Sequence, residues 1–257
     1  MVEGKRRTIL LVEDEAVIAM AEKMQLERGG YGVVLAYSAA DGVAAASNTG
    51  IDLVLMDIDL GPGMDGTEAA QQILQNRELP IIFLTSHAEK EVVERVKGIT
   101  RYGYVLKDSG TFVLLEAVDM ALQLFESHRS MAAAERRYRA LFETTENPIT
   151  IFDENATIVE INPVVRRAFD VKREALIGRP LRDLVPEMHD EAVGRIRKCT
   201  ETQERGEYVD RIQGSDGNRY WFRSTFVPLP RELGDRPLVQ VMSYDITGLK
   251  ELERRVD

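Results

Sequence analysis

The sequence predicts two folded units in tandem. Residues 1–125 read as a doubly wound α/β unit with a five-stranded parallel sheet, and a long helix joins it to an α+β domain with an antiparallel five-stranded sheet. Three features carry this expectation. Up to Phe125, short apolar runs alternate with helix-like stretches, the order expected of βα units. From Glu126 to Glu143 neither glycine nor proline interrupts a composition that favours helix. Beyond it, a close pair of strand-like runs is followed by three more with turn residues between them.

In the first unit, strands are expected at Thr8–Val12, Val33–Tyr37, Leu53–Asp57, Ile81–Thr85 and Gly103–Leu106. Each is a continuous apolar run, as suits a parallel strand covered on both faces. Helices are expected at Glu15–Arg28, Ala39–Asn48, Thr67–Gln75 and Lys90–Gly98. Gly29-Gly30 supplies a residue type that tolerates the left-handed turn ending many helices. Ser38 offers a hydroxyl to the first amides of the second helix.

Polar residues of particular types fall at the carboxyl ends of these strands. Glu13 and Asp14 follow the first, Asp57 ends the third, Thr85 ends the fourth and Lys107 follows the fifth. That edge of an open α/β sheet is where ligands bind. Paired acids suit a hard divalent cation such as Mg2+. A carboxylate, a metal, a hydroxyl and an ammonium are what an aspartate needs to accept and hold a phosphoryl group.

These five positions resemble a response-regulator receiver domain, a flavodoxin-like fold, over roughly the first 125 residues. The resemblance implies that Asp57 is the phosphoacceptor, served by Thr85 and Lys107. Glu13, Asp14, Asp57 and the backbone carbonyl of Asp59 would hold Mg2+. Lys107 would pair with one phosphoryl oxygen and Thr85 would donate its hydroxyl to another. Tyr104 matches the aromatic position that swings inward when that hydroxyl shifts. The segment Gly61-Pro62-Gly63-Met64-Asp65-Gly66 matches the loop after the acceptor. Asp59 and His87 match positions that tune phosphoryl lifetime. One residue departs from the family: Asp108 follows Lys107 where receivers carry proline. A cis peptide without proline costs about 3 kcal/mol, so a trans bond or a rearranged loop is expected.

Leu114, Leu115, Val118, Leu122 and Phe125, then Met131, Ala134, Tyr138 and Leu141, recur at helical spacing. They predict one long helix from about Thr111 to Thr144, with residues 126–144 as connector. The apolar stripe is too long for the first unit to cover, which points to a homodimer joined through a coiled coil. The other reading is an amphipathic helix folded back on its own domains. The stripe changes register between Phe125 and Met131. His128 reads as a solvated helix residue.

From Arg139 the text resembles a PAS domain, with the domain proper at 145–247. Arg139-Ala140-Leu141-Phe142, Pro148–Asp153, Ile158–Pro163, Ala168-Phe169, Leu176–Pro180, Asp216-Gly217 and Asp245-Ile246-Thr247 carry the resemblance. Strands are expected at Ile149–Phe152, Ile158–Ile161, Tyr208–Ile212, Tyr220–Val227 and Leu238–Tyr244. Asn162-Pro163 reads as N-cap and first helical residue. The resemblance implies that Asp245 and Thr247 couple the sheet to an output helix, 248–257. A covalent flavin would need a cysteine just after Gly178-Arg179, and haem a histidine near the end of the helix Glu191–Thr202; neither is there. Those two cofactors are not expected, and the sequence does not name a PAS ligand. Cys199 reads as a buried structural thiol, His189 as a loop or helix-start residue.

The composition excludes several classes. Of 257 residues, 44% are hydrophobic and 30% charged, with 43 acids against 33 bases for a net charge of −10. That balance argues against nucleic acid as a partner. The apolar runs are too short for membrane insertion and no leader is visible, so a cytoplasmic protein is expected. One cysteine cannot build a disulfide framework. The function expected is two-component signal transduction: a histidine kinase phosphorylates Asp57, and the change passes through the connector to the PAS module. No independent enzyme is expected beyond the receiver's own phosphorylation and dephosphorylation. The alternative is the N-terminal regulatory region of a sensor histidine kinase, suggested by a final helix of little more than two turns that reads as the start of something longer.

Overall fold

A computed structural model describes residues 6–86, 96, 98–100, 102–169, 172–183, 185–213, 217–230 and 236–256. The chain divides into two compact units, Met1–Ala133 and Ala134–Asp257.

The first unit runs β1 (Thr8–Val12), α1 (Ala16–Arg28), β2 (Gly32–Ala36), α2 (Ala39–Ala46), β3 (Leu53–Asp57), α3 (Gly66–Asn76), β4 (Ile81–Thr85), β5 (Tyr104–Leu106) and α4 (Thr111–Thr144). Its five strands are parallel in the order β2-β1-β3-β4-β5. The order reverses direction between β1 and β3, which opens a crevice at their carboxyl ends. β3 and β4 are buried along their whole length, as their unbroken apolar text requires. One core layer sets Val12, Met56 and Phe83 against α2 and α3. The other sets Leu11, Leu55 and Leu84 against Leu26 of α1 and Leu114, Val118 and Leu122 of α4.

Local chemistry sets the ends of these elements. Gly30, at φ +94°, turns the chain after α1, and the Tyr31 amide closes the turn on the Leu26 carbonyl. The Ser38 hydroxyl accepts from the Asp41 amide. β2 starts one residue earlier than expected because the Gly32 amide donates to the Arg7 carbonyl and so opens the ladder with β1. All peptide bonds among the described residues are trans, including Lys107–Asp108. The helix expected at Lys90–Gly98 and His87 fall outside the described residues, apart from Val96 and Gly98.

The second unit holds the end of α4, then β6 (Ile149–Asp153), β7 (Ile158–Ile161), α5 (Pro163–Phe169), three short 3-10 turns, α6 (His189–Thr202), β8 (Gly206–Gln213), β9 (Arg219–Pro228), β10 (Leu238–Asp245) and α7 (Thr247–Val256). The sheet is antiparallel in the order β7-β6-β10-β9-β8. Phe152, Ile158, Phe226, Val239 and Val241 pack with Val165 of α5 and with Ile196 and Cys199 of α6. Asn162 is fully buried and satisfied. Its Oδ1 accepts from the Val165 amide, which caps α5, and from the Ile149 amide, while its Nδ2 donates to the Asn147 carbonyl. Cys199 is buried, and burial pushes its thiol above the usual range.

Glu22 breaks the pattern of α1. It sits on the core face between Ala19 and Leu26, and its Oε2 is buried without a hydrogen-bond partner. Burial, and next the nearby Glu13 carboxylate, push it up to about 7. Its folded value lies above its unfolded one, so the protonated form favours folding. That contribution is complete below the unfolded value, near 4.5, and is lost as pH rises through about 7. Glu22→Gln, which cannot ionise, should therefore gain on the order of 1–2 kcal/mol over wild type at pH 8 and much less at pH 5. Thermal melts of both proteins in metal-free buffer check this; an equal offset at the two pH values would contradict it.

Candidate functional site

The carboxyl ends of β1, β3, β4 and β5 bring together Glu13, Asp14, Asp57, Thr85 and Lys107. Glu13 is 0% exposed and Asp57 is 4% exposed. Both are held there by backbone: the Glu13 amide donates to the Ala36 carbonyl, and the Ile58 amide just after Asp57 donates to Leu84. Lys107 is tied in by its own amide, which donates to the carbonyl of Thr85. Its Nζ reaches the Glu13 Oε2 at 2.6 Å and the Asp57 Oδ2 at 2.8 Å. One ammonium thus bridges two buried carboxylates. Asp57 Oδ1 also accepts, at 3.4 Å, from the Asp59 amide. Thr85 is buried at the end of β4.

The electrostatics follow from burial. Desolvation raises both Glu13 and Asp57 above the usual carboxylate range, and the hydrogen bonds from Lys107 offset only part of this. For Lys107, burial alone would lower the value. Its bonds to Asp57 and Glu13 outweigh that and hold it above the usual lysine range. Three carboxylates then face one ammonium, so the pocket lacks positive charge when all are ionised. Glu13, Asp14 and Asp57 each bring an oxygen within 4.8 Å of the others. An oxygen donor set with surplus negative charge fits a hard divalent cation.

The loop after β3 shapes the opening. Gly61 has φ +74°, and a Cβ there would stand 3.2 Å from Asp14 Oδ2. Gly66 is the tighter case, since a Cβ would stand 1.8 Å from the Asp57 carbonyl oxygen. α3 can start against the Asp57 carbonyl only with glycine at that place. Asp65 caps α3 through a reciprocal pair with Glu68. The sequence placed Gly66 in the loop without separating this role, although Asp65 three residues before Glu68 signals the helix start.

Of the remaining residues singled out in the sequence, Asp59 touches this cluster only through its backbone amide, and the others lie apart from it. Asp59 is exposed at the mouth and is absent from the cluster of facing carboxylates. Tyr104 is exposed on β5, paired in register with Phe83 of β4. Asp245 and Thr247 belong to the second unit. Asp245 Oδ1 accepts from the Thr247 amide, and the Thr247 Oγ1 accepts from the Trp221 amide of β9, each at 2.8 Å. The Ile246 amide donates to the Trp221 carbonyl at 2.7 Å. Glu22, which the sequence did not single out, feels the charges of Glu13, Lys107 and Asp57 from α1. Its only signal was an acid on the apolar face of a helix.

Comparison with known proteins agrees with both units. Residues 9–119 match the family model of the response regulator receiver domain, and residues 142–251 that of a PAS fold. The transcriptional regulatory protein PdtaR of Mycobacterium tuberculosis is 33% identical over 143 residues, which cover 54% of this chain and 67% of that protein. Among solved structures, the N-terminal domain of a response regulator/sensory box/GGDEF 3-domain protein from Carboxydothermus hydrogenoformans is 42% identical; the match covers 48% of this chain and 98% of that one, at TM-score 0.45. The PAS domain of an HTR-like protein from Haloarcula marismortui is 19% identical, covering 47% of this chain and 98% of that one at TM-score 0.40. Among the described residues no helix is long and apolar enough to cross a membrane. The chain belongs to the response regulator receiver family and carries a PAS fold after its receiver domain.

Proposed function

We propose that Asp57 accepts a phosphoryl group from a histidine kinase and that α4 relays the change to the PAS domain and its exit helix, α7. The observation that carries this is the Lys107 ammonium bonded at once to Asp57 and Glu13. In the reaction an Asp57 oxygen attacks the phosphorus of the donor phosphohistidine. A P–O bond forms, the P–N bond breaks and the imidazole leaves with its electron pair. Negative charge moves from the carboxylate toward the phosphoryl oxygens. Lys107 follows it without leaving the pocket, since it already touches the carboxylate that receives the group. Thr85, at the end of the neighbouring strand, supplies a hydroxyl to a phosphoryl oxygen. Glu13, Asp14, Asp57 and the Asp59 carbonyl are the groups that would hold Mg2+, which when bound adds positive charge against the transferring group. Hydrolysis of the acyl phosphate by water resets the receiver. Val17, Met20 and Met24 lie exposed along α1, close in sequence to Asp14, and offer the donor an apolar footing.

The dimer reading gains support from α4. Leu114, Val118, Ala121 and Leu122 are used in the core of the first unit. A second series runs at alternating spacings of four and three: Val113, Ala117, Met120, Leu124, Ser127, Met131, Ala134, Tyr138 and Leu141. Met131 and Leu141 are 70% and 74% exposed. This series keeps its spacing from Val113 to Leu141, although Ala117 also packs against the first unit's core. A parallel coiled-coil homodimer uses such a series as its seam.

In the second unit, Thr247 joins β9 to the exit helix and Asp245 caps the junction. Leu249 and Leu252 are exposed along α7, as a helix with a mate requires. These contacts support Thr247 over Asp245 as the residue that couples sheet to helix.

Three outcomes are expected. Incubation with acetyl phosphate and Mg2+ adds one phosphate by intact mass, and Asp57→Ala or chelation abolishes it; equal labelling of Asp57→Ala would contradict the assignment. Light scattering at micromolar concentration gives about twice the chain mass, and Leu124→Glu shifts the protein toward monomer while leaving its melting temperature within a few degrees; a strictly monomeric wild type would contradict the seam. Thr247→Val removes a hydrogen bond worth about 1 kcal/mol, so amide exchange in α7 should rise about fivefold. Its response to phosphorylation should shrink, and an unchanged response would leave Thr247 a local contact only.

A further inference from the structure

We propose that Phe125 and Glu126 form a joint that fixes α4 to the receiver, and that this joint sets how ordered the helix is beyond residue 126. Such a joint is separate from phosphotransfer and does not depend on it. Leu122 is the last α4 residue in the receiver core. One turn later the Phe125 ring meets Tyr102 edge to face, with centroids 6.0 Å apart and planes at 74°. The Arg129 guanidinium lies 5.7 Å from the centre of the same ring. The next residue, Glu126, forms an ion pair with Arg7. Arg7 also reaches Asp52 Oδ1 at 3.3 Å, and the other oxygen of Asp52 accepts from the Thr8 amide at 2.8 Å. The joint therefore has an aromatic side, anchored just before β5, and an ionic side, anchored where β1 and β3 begin. Both sides grip consecutive residues of one helix at the sheet edge opposite the phosphoacceptor.

Among the described residues no further receiver contact steadies the helix just beyond the joint. Residues 127–131 are all exposed. Within one chain such a stretch is marginal in water, so its order depends on what holds its start as well as on the proposed seam. The two sides respond differently to conditions. Arg7 and Glu126 side chains are 45% and 53% exposed, and both line a cleft of ≈ 330 Å³ with Asp52, Leu122, Phe125 and Arg129. Water and salt reach the ionic side and screen it. The aromatic side is insensitive to salt.

Hydrogen exchange on the full chain tests the joint, with β1 and β3 amides as internal reference. Phe125→Leu keeps an apolar side chain but loses the ring contact, and should speed exchange over residues 126–133 about fivefold. Arg7→Gln should speed it about twofold at low salt. Raising NaCl to about 0.5 M should bring wild type to the Arg7→Gln rate and leave that variant unchanged. Unchanged exchange over 126–133 in both variants would overturn the proposal. So would acceleration shared equally by β1 and β3, because the effect would then be one of receiver stability.

Discussion

Burying carboxylates beside one another is costly unless positive charge is brought to them, and the receiver is arranged around that constraint. Glu13 and Asp57 are buried at adjacent strand ends, and Lys107 bridges them. Removing one partner of a buried, hydrogen-bonded charge pair typically costs several kcal/mol, because it strands the other charge. The bridge therefore ties together the carboxyl ends of β1, β3 and β5. It also leaves the pocket short of positive charge, with Asp14 at its rim adding a further carboxylate. The same imbalance that makes the pocket expensive suits it to a hard divalent cation.

The rest of the first unit serves to hold that arrangement. Unbroken apolar strands bury both faces of the sheet, and the reversal of strand order at β1 and β3 opens the edge where the acids stand. Gly66 lets α3 begin in contact with the Asp57 carbonyl. Leu115 lies against Gly29 at the end of α1, where a Cβ would stand 2.5 Å from the leucine side chain, so α4 is seated closely on the receiver before it leaves it. In the second unit, the buried Asn162 ties β6 to α5 and Thr247 ties β9 to α7. Each domain thus fastens the helix that enters or leaves it by a small number of specific contacts.

Much of this was legible in the sequence, for identifiable reasons. Parallel strands buried on both faces write themselves as apolar runs, so all five receiver strands were located to within a residue at each end. β2 alone was shifted by one residue at both ends, because its ladder opens on Gly32, a residue without apolar signal. Ser38 and Asn162 were readable as caps because their chemistry is local. Glu13, Asp14, Asp57, Thr85 and Lys107 were readable because each stands directly at a strand end. The limits were equally physical. The two apolar series of α4 were not separated because they share one helix, and only burial marks the core-facing one. Glu22 carried only a weak signal, because an acid on an apolar helix face looks like any amphipathic irregularity. The contacts of Thr247 were hidden because Trp221 is distant in sequence.

The central claim is that three carboxylates facing one ammonium make a site for a divalent cation at the phosphoacceptor. Titrating Mg2+ into the metal-free protein by calorimetry tests it most directly. The account predicts one site per chain, weakened about tenfold or more by Asp14→Asn, which removes a charge at the rim without disturbing the buried bridge. No binding at millimolar Mg2+, or equal affinity in Asp14→Asn, would contradict it.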